Sequence, residues 1–318
     1  MYESRFIEKV KVFLWRCSKG MLIHIRYLRD RKQRESYKNV MDSQQTIEYI
    51  KAHNCSVARF GDGEFQMIEH GLRGGDAASF FVDTFQSFDA ALSARLNEVL
   101  TKTVPDLMIC VPYPLFHSSV YRGYDRFFVE REWLGRGNLA REAAKRHAVV
   151  GDSTFTRFYL HRTDIKDYPA YITSLKGIWE GRDVILVEGK TSRLGVGNDL
   201  FDNTASIKRI LCPSTNAFRV YDNILEKIRR LDRKDCLFLL ALGHTATVLA
   251  YDMTKEGYQA VDLGHVDIEY EWYRMGARKK CPVPNKYVNE VLEGRVVGNT
   301  MDKEYESQII GRVIGDKK

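Results

Sequence analysis

Short apolar runs alternate with amphipathic stretches along most of this chain, and this alternation constrains its fold more than any other feature. The short runs predict buried strands, and the longer stretches between them predict helices. The predicted strands cover residues 56–60, 107–111, 183–188, 207–212, 236–242 and 260–263. The predicted helices include residues 43–53, 85–102, 168–179 and 218–231. Strands that alternate with helices form a mostly parallel sheet covered by helices, so we expect an α/β fold.

Length and composition are those of an ordinary globular protein. The 318 residues suffice for one large domain or two smaller ones, and 44% hydrophobic and 29% charged residues are usual values. The six cysteines are scattered without a Cys-x-x-Cys pair, which argues against a zinc cluster or a disulfide framework and favours a cytoplasmic setting. No apolar run approaches the roughly 18 residues of a membrane span. We expect no signal peptide, because charges interrupt the first apolar residues.

The positive charge is concentrated in the N-terminal part of the chain. Residues 1–40 hold 11 Lys and Arg against 4 Asp and Glu, a balance of +7, whereas the remaining residues hold 38 of each. We therefore divide the chain into a basic helical arm, residues 1–42, and a body, residues 43–318. The arm is predicted to be helical over residues 3–34, with a break near Gly20. Its apolar stripe follows helical spacing and consists of Phe6, Val10, Phe13, Leu14 and Cys17.

A basic amphipathic helix of this kind suits two arrangements. With its cations and Trp15 it can lie on an anionic membrane surface, which would place the protein at the periphery of the inner face of a membrane. Alternatively, the apolar face of the helix docks on the body and its other face is exposed to solvent. A nucleic-acid-binding arm is less consistent with the sequence, because the body carries no net positive charge. We therefore expect no nucleic-acid partner.

The end of the first predicted strand carries two carboxylates. Arg59 to Glu64 reads Arg-Phe-Gly-Asp-Gly-Glu, and Gly61 and Gly63 are predicted to adopt backbone angles that a side chain would forbid. In an extended segment Asp62 and Glu64 point to the same side, where they repel each other unless a cation lies between them. Hard oxygen ligands favour Mg²⁺ or Mn²⁺, with substrate phosphates completing the coordination. The alternative is an ordinary Asp-Gly turn.

Two later strands run into loops rich in glycine and hydroxyl groups. After the strand at 183–188, the loop from Gly189 to Asn198 is predicted to lead into a helix and to present backbone N–H groups to phosphates. Arg193 could add a bidentate contact. The loop matches neither the Walker A pattern nor G-x-G-x-x-G, so a plain connection remains the alternative. Gly243 and Thr245 form a second junction of this kind after the strand at 236–242.

Acidic residues cluster beside His265, just past the strand at 260–263. If this segment is extended, Asp267, Glu269 and Glu271 share a face, and if it is helical, Asp267 and Glu271 do. Open α/β sheets bind ligands at this edge, so the cluster is a candidate for acid–base chemistry. Arg157 and His161 are four residues apart in a region predicted to be rich in helix. We expect them to be solvated on the surface.

Four stretches taken together resemble the GT-D glycosyltransferases, a bacterial family of glycan assembly. They are Arg59 to Glu64 (RFGDGE), Val187 to Phe201 (VEGKTSRLGVGNDLF), Ala241 to Asp252 (ALGHTATVLAYD) and Gly257 to Trp272 (GYQAVDLGHVDIEYEW). The resemblance covers roughly residues 45–290 and excludes the arm. It implies a Rossmann-like fold of GT-D type, a UDP-sugar donor and a Mn²⁺ or Mg²⁺ ion.

The resemblance also implies roles for individual residues. The family's Asp-x-Glu motif falls on Asp62 and Glu64, which would hold the metal against the diphosphate. The acidic cluster beside His265 would supply the base from Asp267, Glu269 or Glu271. The residues expected at the nucleotide are Arg59, Gly61, Gly63, Thr191, Arg193, Gly195, Gly197, Asn198, Gly243 and Thr245.

The expected activity is therefore metal-dependent transfer of a hexose, such as glucose, from a UDP-sugar to a hydroxyl of a glycan or glycoprotein acceptor. The ion would neutralise charge on the leaving UDP, and Arg193 would assist. Two alternatives remain open. The same groups could hydrolyse nucleotide-diphosphate sugars with water as the acceptor, or the protein could be a non-enzymatic scaffold at a membrane surface.

Overall fold

The computed structural model describes residues 19–76, 80, 85–160, 162–298 and 302–313. Within these residues, eight strands form one sheet in which every neighbouring pair is parallel, in the order β3-β2-β1-β7-β6-β4-β5-β8. The strands are β1 (Ser56–Arg59), β2 (Leu107–Val111), β3 (Val150–Asp152), β4 (Asp183–Gly189), β5 (Ser206–Cys212), β6 (Leu237–Ala241), β7 (Gln259–Asp262) and β8 (Ile309–Arg312). The expected α/β fold is confirmed.

Helices cover the sheet. The first described helix, α1, extends over residues 19–29. The others are α2 (Arg31–Ser36), α3 (Ser43–His53), α4 (Asp62–Leu72), α5 (Ala90–Thr101), α6 (Tyr113–Phe116), α7 (Gly123–Arg146), α8 (Tyr168–Lys176), α9 (Tyr221–Leu231), α10 (His244–Lys255), α11 (Val266–Arg274) and α12 (Lys303–Gln308). None of the helices in the described part of the chain is long and apolar enough to cross a membrane.

The strands are buried on both faces, as expected for a parallel sheet between helices. In β4, Ile185 and Val187 belong to one apolar cluster, and Val184 and Leu186 belong to another on the opposite face. Successive strand residues point to opposite faces, so this alternation assigns one cluster to each side of the sheet. The largely apolar composition of the predicted strands therefore reflects their position between two layers.

All six predicted strands are present. The structure has two further strands, β3 and β8, that the sequence analysis did not predict. β3 has only three residues, including Gly151 and Asp152, and β8 is a short edge strand. Neither has a run of apolar residues long enough to be recognised. The loop after β4 is a further correction, because it continues through turns to β5 without the predicted helix.

The arm packs against the body through its C-terminal part. The hydroxyl of Tyr27 donates to the carbonyl of Leu115 at 3.0 Å, and Nε1 of Trp133 donates to Oδ2 of Asp30 at 2.9 Å. The predicted stripe from Phe6 to Cys17 lies outside the described residues. The division between arm and body at residue 42 stays a prediction.

The topology creates a crevice at the carboxyl ends of the central strands. β1 lies between β2 and β7, and the chain proceeds from β1 to β2 and β3 on one side before crossing to β4 on the other. At such a switch point the loops that follow neighbouring strands diverge and leave space for a ligand. The loops after β1, β6 and β7 meet here.

Candidate active site

A cavity of about 590 Å³ occupies this crevice. Its volume lies within the usual range for small-molecule sites. Residues that follow β1, β6 and β7 line it, together with parts of α7 and of the segment after Pro284. The cavity thus combines groups from distant parts of the chain.

Asp62 and Glu64 lie in the first turn of α4, which corrects the expectation of an extended segment. Gly61 is the N-cap residue, and its N–H donates to Oε2 of Glu64 at 2.8 Å. The helix forms here because this capping contact satisfies a free N–H group and because Phe65 and Ile68 are buried at helical spacing. Both carboxylates still line the cavity. They lie at the positive end of a helix dipole, a favourable place for negative charge.

Gly61 and Gly63 lie in closely packed positions and do not have unusual backbone angles. Gly61 has φ of −116°, and neither residue has positive φ. A Cβ atom on Gly63 would lie 2.9 Å from Nε2 of His244, so the His244 ring would have to move. Gly63 therefore allows α4 to approach the start of α10.

The carboxylates of the cavity repel one another. Desolvation within the cavity raises the pKa of Asp62, although part of this residue stays exposed to solvent, and the nearby charges of Glu64 and Glu132 raise it further. Burial also raises the pKa of Asp262, the last residue of β7, to about 6, where Arg59 opposes the rise and Glu64 adds to it. Nε of Arg59 lies 3.8 Å from Oδ1 of Asp262. Asp262 was not singled out from the sequence, although its position at a strand end was a usable signal.

His244 begins α10 directly after Gly243, as the predicted strand–glycine–helix junction requires. Gly243 has φ of +53°, and a Cβ atom there would collide with Phe85. Both ring nitrogens of His244 are buried and have no hydrogen-bond partner within the described residues. Nδ1 lies 3.8 Å from Oε1 of Glu64. Thr245 is fully buried and does not line the cavity.

These groups fit a divalent cation only in part. Among the residues that the structure describes, no three His, Cys, Asp or Glu side chains are arranged as a metal site. Asp62 and Glu64 nevertheless offer oxygen ligands, and His244 offers ring nitrogens without partners beside them. Mg²⁺ is commonly bound by one or two carboxylates while substrate phosphates supply further ligands. The donor set therefore suits an ion that arrives with a diphosphate.

The glycine-rich loop after β4 faces α11 more than the cavity. Ser192 and Leu194 of this loop line the cavity, whereas Thr191, Gly197 and Asn198 do not. Their predicted contact with a nucleotide stays a prediction. The side chain of Asn198 donates to Oδ1 of Asp267 at 2.8 Å.

Arg193 and Gly195 are likewise turned away from the cavity. The guanidinium of Arg193 is buried and donates to the carbonyls of Asn285 and Gly298, so it anchors the C-terminal segment instead of facing a phosphate. Gly195 has φ of +73°, and its N–H donates to Oδ1 of Asp267 at 2.9 Å.

Lys286 pairs with two of the three acidic residues beside His265. α11 is helical, and Asp267 and Glu271 share a face, as the helical alternative predicted. Nζ of Lys286 lies 2.6 Å from Oδ2 of Asp267 and 3.1 Å from Oε1 of Glu271, and all three side chains are largely buried. Because these carboxylates hold Lys286 and the glycine-rich loop, they are poorly placed to accept a proton from a substrate.

Glu269 lies on the other face of α11 and, like Asp267, lines the cavity. Its Oε2 accepts from the backbone N–H groups of Tyr159 and Leu160 at 3.2 and 3.4 Å. Nη1 of Arg157 lies 3.6 Å from Oε1. Burial raises the pKa of Glu269, although Arg157 and the backbone donors oppose this. A carboxylate with a raised pKa in a cavity is a candidate general base.

Arg157 and Glu290 complete this wall of the cavity, and neither was expected there. Nη1 of Arg157 lies 2.7 Å from Oε1 of Glu290, which corrects its predicted surface position, and His161 lies outside the described residues. Nδ1 of His265 lies 3.3 Å from Oε2 of Glu290. Although burial alone would raise the pKa of Glu290, His265 and Arg157 hold it well below its usual range.

Comparisons with known proteins agree on one family. The sequence profile described as the glycosyltransferase GT-D fold matches residues 57–291. A probable glycosyl transferase of Streptococcus gordonii is 36% identical over 282 residues, which are 86% of this chain and 39% of that protein. A glycosyltransferase, GlyD, of Streptococcus pneumoniae is 34% identical over 272 residues, 85% of this chain and 32% of that protein. The chain thus spans about a third of the length of these relatives.

Solved structures agree with the sequence comparison. A structure described as domain of unknown function 1792 with a distinct glycosyltransferase fold superposes with a TM-score of 0.77 at 36% identity, covering 90% of this chain and 99% of that one. A structure described as a new glycosyltransferase from Streptococcus sanguinis gives a TM-score of 0.71 at 34% identity, covering 87% and 99%.

Proposed function

This chain belongs to the GT-D fold glycosyltransferase family, and on that premise we propose that it transfers a hexose from a UDP-sugar to a hydroxyl of a glycan or glycoprotein acceptor. The observation that carries the proposal is the pair Asp62 and Glu64 at the N-terminus of α4, inside a cavity at the carboxyl ends of the central strands. Parallel sheets bind nucleotides at this edge.

Asp62 and Glu64 are proposed to hold Mn²⁺ or Mg²⁺ together with the diphosphate of the donor. When bound, such an ion supplies Lewis-acid stabilisation of the charge that develops on a leaving diphosphate. His244 lies beside Glu64 with unpartnered ring nitrogens and could donate to a phosphate oxygen. The remaining volume of the cavity is then available to the sugar and the acceptor.

Glu269 is the group that we propose as general base, if transfer inverts the anomeric configuration. Its carboxylate would take the proton of the acceptor hydroxyl as that oxygen bonds to the anomeric carbon and the bond to UDP breaks. Asp267 and Glu271 are less suited to this task, because Lys286 and Asn198 contact their oxygens at 2.6 to 3.1 Å. The contacts of Glu269 are longer, at 3.2 to 3.6 Å. Arg157 orients Glu269 from one side.

Thermal stability in the presence of UDP and Mn²⁺ tests the donor site. A ligand that binds only the folded state raises the midpoint of unfolding by mass action. We expect a shift that requires UDP and the metal together and that is smaller with GDP or ADP. No shift with any nucleotide would contradict the proposed donor site. Release of free sugar equal to UDP, regardless of the acceptor, would instead indicate a hydrolase.

The pH dependence of turnover tests Glu269. A base must be ionised to act, and burial raises the pKa of Glu269, so kcat/KM should rise with pH through a range above the usual value for glutamate. Glu269→Gln should lower kcat by about a hundredfold or more and abolish this limb of the profile. A Glu271→Gln variant serves as the control on the same helix. If kcat/KM of Glu269→Gln still rose with pH over the same range, this dependence would belong to another group.

A further inference from the structure

The helix α1 carries an apolar face that no described part of the protein covers. Met21, Leu22, Ile25 and Leu28 are between 43% and 66% exposed. Their spacing of one, four and seven residues from Met21 places them on one side of the helix. Four neighbouring apolar side chains on one exposed helix face indicate an interaction site more strongly than scattered ones.

The opposite side of α1 is fixed to the body. Tyr27 is buried, and Nδ1 of His24 lies 2.9 Å from both carboxylate oxygens of Glu130 on α7. The ring of Tyr27 also makes an edge contact with Trp133, with ring centroids 6.5 Å apart. Turning the apolar face inward would break these contacts. The face is therefore held outward by the fold.

Exposed cations follow the apolar face at the end of α1 and at the start of α2. Arg29 lies four residues after Ile25, and Lys32 lies four residues after Leu28, and both are exposed, as is Arg26 at the side of the stripe. The acidic side chains nearby have partners of their own, since Asp30 accepts from Trp133 and Glu35 pairs with Arg31. The exposed surface is thus apolar and basic.

We propose that this face of α1 binds the surface of a bilayer that contains anionic phospholipids. Apolar side chains can enter the boundary of the acyl chains while Arg and Lys extend their cations to the headgroups. The excess of +7 in residues 1–40, beside residues 41–318 with no net charge, matches an anionic surface. This inference is independent of the proposed reaction.

Two other occupants agree less well with the observations. A second copy that packed through the same face would bury Arg29 and Lys32 in an interface where the described residues of that face offer no acidic side chain to pair with them, because a twofold interface presents the same surface from both copies. Nucleic acid would use the cations but would leave Leu22 and Ile25 without an apolar partner. An anionic bilayer satisfies both kinds of side chain.

Vesicle binding by the full chain tests the proposal. We expect the protein to float with vesicles of phosphatidylcholine and phosphatidylglycerol, and to bind far less to phosphatidylcholine alone. The double variant L22Q/I25Q should lower the partition coefficient by about tenfold or more. R29Q/K32Q should also weaken binding and reduce its salt dependence. Met275→Gln removes a comparably exposed apolar side chain at the C-terminal end of α11 and should bind as the wild type does.

Several outcomes would overturn the inference. Equal vesicle binding by L22Q/I25Q and the wild type would assign membrane contact to residues 1–18 or to another surface. Absence of binding to anionic vesicles would reject the membrane as partner. A dimer in sedimentation that L22Q/I25Q dissociates would identify a second copy as the occupant. Unchanged thermal midpoints of the variants, measured alongside, establish that they are folded.

Discussion

Asp62→Asn is expected to lower transferase activity by about a thousandfold while the protein stays folded. The proposed role of Asp62 is to hold the ion that accompanies the donor diphosphate, and asparagine keeps the shape of the side chain but removes its charge. Loss of electrostatic stabilisation at a leaving group commonly costs roughly two to three orders of magnitude in rate. The measurement is UDP release with a glycan acceptor, together with the thermal shift produced by UDP and Mn²⁺, which should disappear.

The thermal stability of Asp62→Asn shows whether Asp62 serves the active site or stabilises the fold. Burial and the charge of Glu64 raise the pKa of Asp62 in the folded protein. A carboxyl with a raised folded-state pKa costs stability once pH exceeds its unfolded value, because the folded state must bear the unfavourable charge. Asp62→Asn should therefore match or exceed the wild-type thermal midpoint at neutral pH without metal. A structural carboxylate would give the opposite result.

Glu64→Gln provides a second test of the site. The amide oxygen of glutamine can still accept the Gly61 N–H that Glu64 accepts, so the cap of α4 should survive while one charge is lost. We expect a similar loss of activity with little change in the circular dichroism spectrum. Asp202→Asn, at an exposed carboxylate far from α4 in sequence, serves as the control. Full turnover by both Asp62→Asn and Glu64→Gln would refute the metal role.

Most strands could be predicted because buried strands have a recognisable apolar composition. A strand covered on both faces consists mostly of apolar residues, as in 236–242, and such runs are easy to recognise. β3 was missed because its three residues carry only one large apolar side chain, Val150. Its place in the sheet follows from pairing with β2 and not from local sequence. Length of the apolar run thus determines what can be predicted.

Side-chain direction was much harder to predict than position. Arg193 lies in a loop that follows a central strand, which made a phosphate contact plausible, yet it donates to carbonyls 92 and 105 residues further along the chain. Nothing within the loop itself indicates those partners. Asp62 and Glu64 were located correctly at the cavity because the strand end alone determines where they lie. Their helical conformation depends on capping by Gly61, which the sequence pattern also allowed.

The segment after Pro284 shows the limit of local patterns most clearly. It carries none of the motifs that the sequence analysis identified, but it supplies Glu290 to the cavity and Lys286 to α11. Neither residue belongs to a periodic stretch or a motif. Their roles arise only when the chain returns to the crevice, so only tertiary structure could reveal them.

Lys286→Met is expected to cause the largest loss of stability of any variant considered. The ammonium group is buried between the carboxylates of Asp267 and Glu271, at 2.6 and 3.1 Å. Removing it leaves two buried carboxylates without their cation, and breaking a buried ion pair in this way typically costs about 3–5 kcal/mol. Chemical denaturation should report a loss of that size. Lys279→Met, at an exposed lysine nearby, should change stability by less than about 0.5 kcal/mol.

A triple variant distinguishes the ion pair from simple packing. When Lys286→Met is combined with Asp267→Asn and Glu271→Gln, no buried charge remains unpaired, and most of the lost stability should return. Asparagine at 267 also retains an oxygen to accept from the N–H of Gly195, so the glycine-rich loop keeps that contact. If the triple variant were as unstable as Lys286→Met alone, the lysine would act through its packing. If Lys286→Met itself were as stable as the wild type, the buried cluster would contribute nothing to folding.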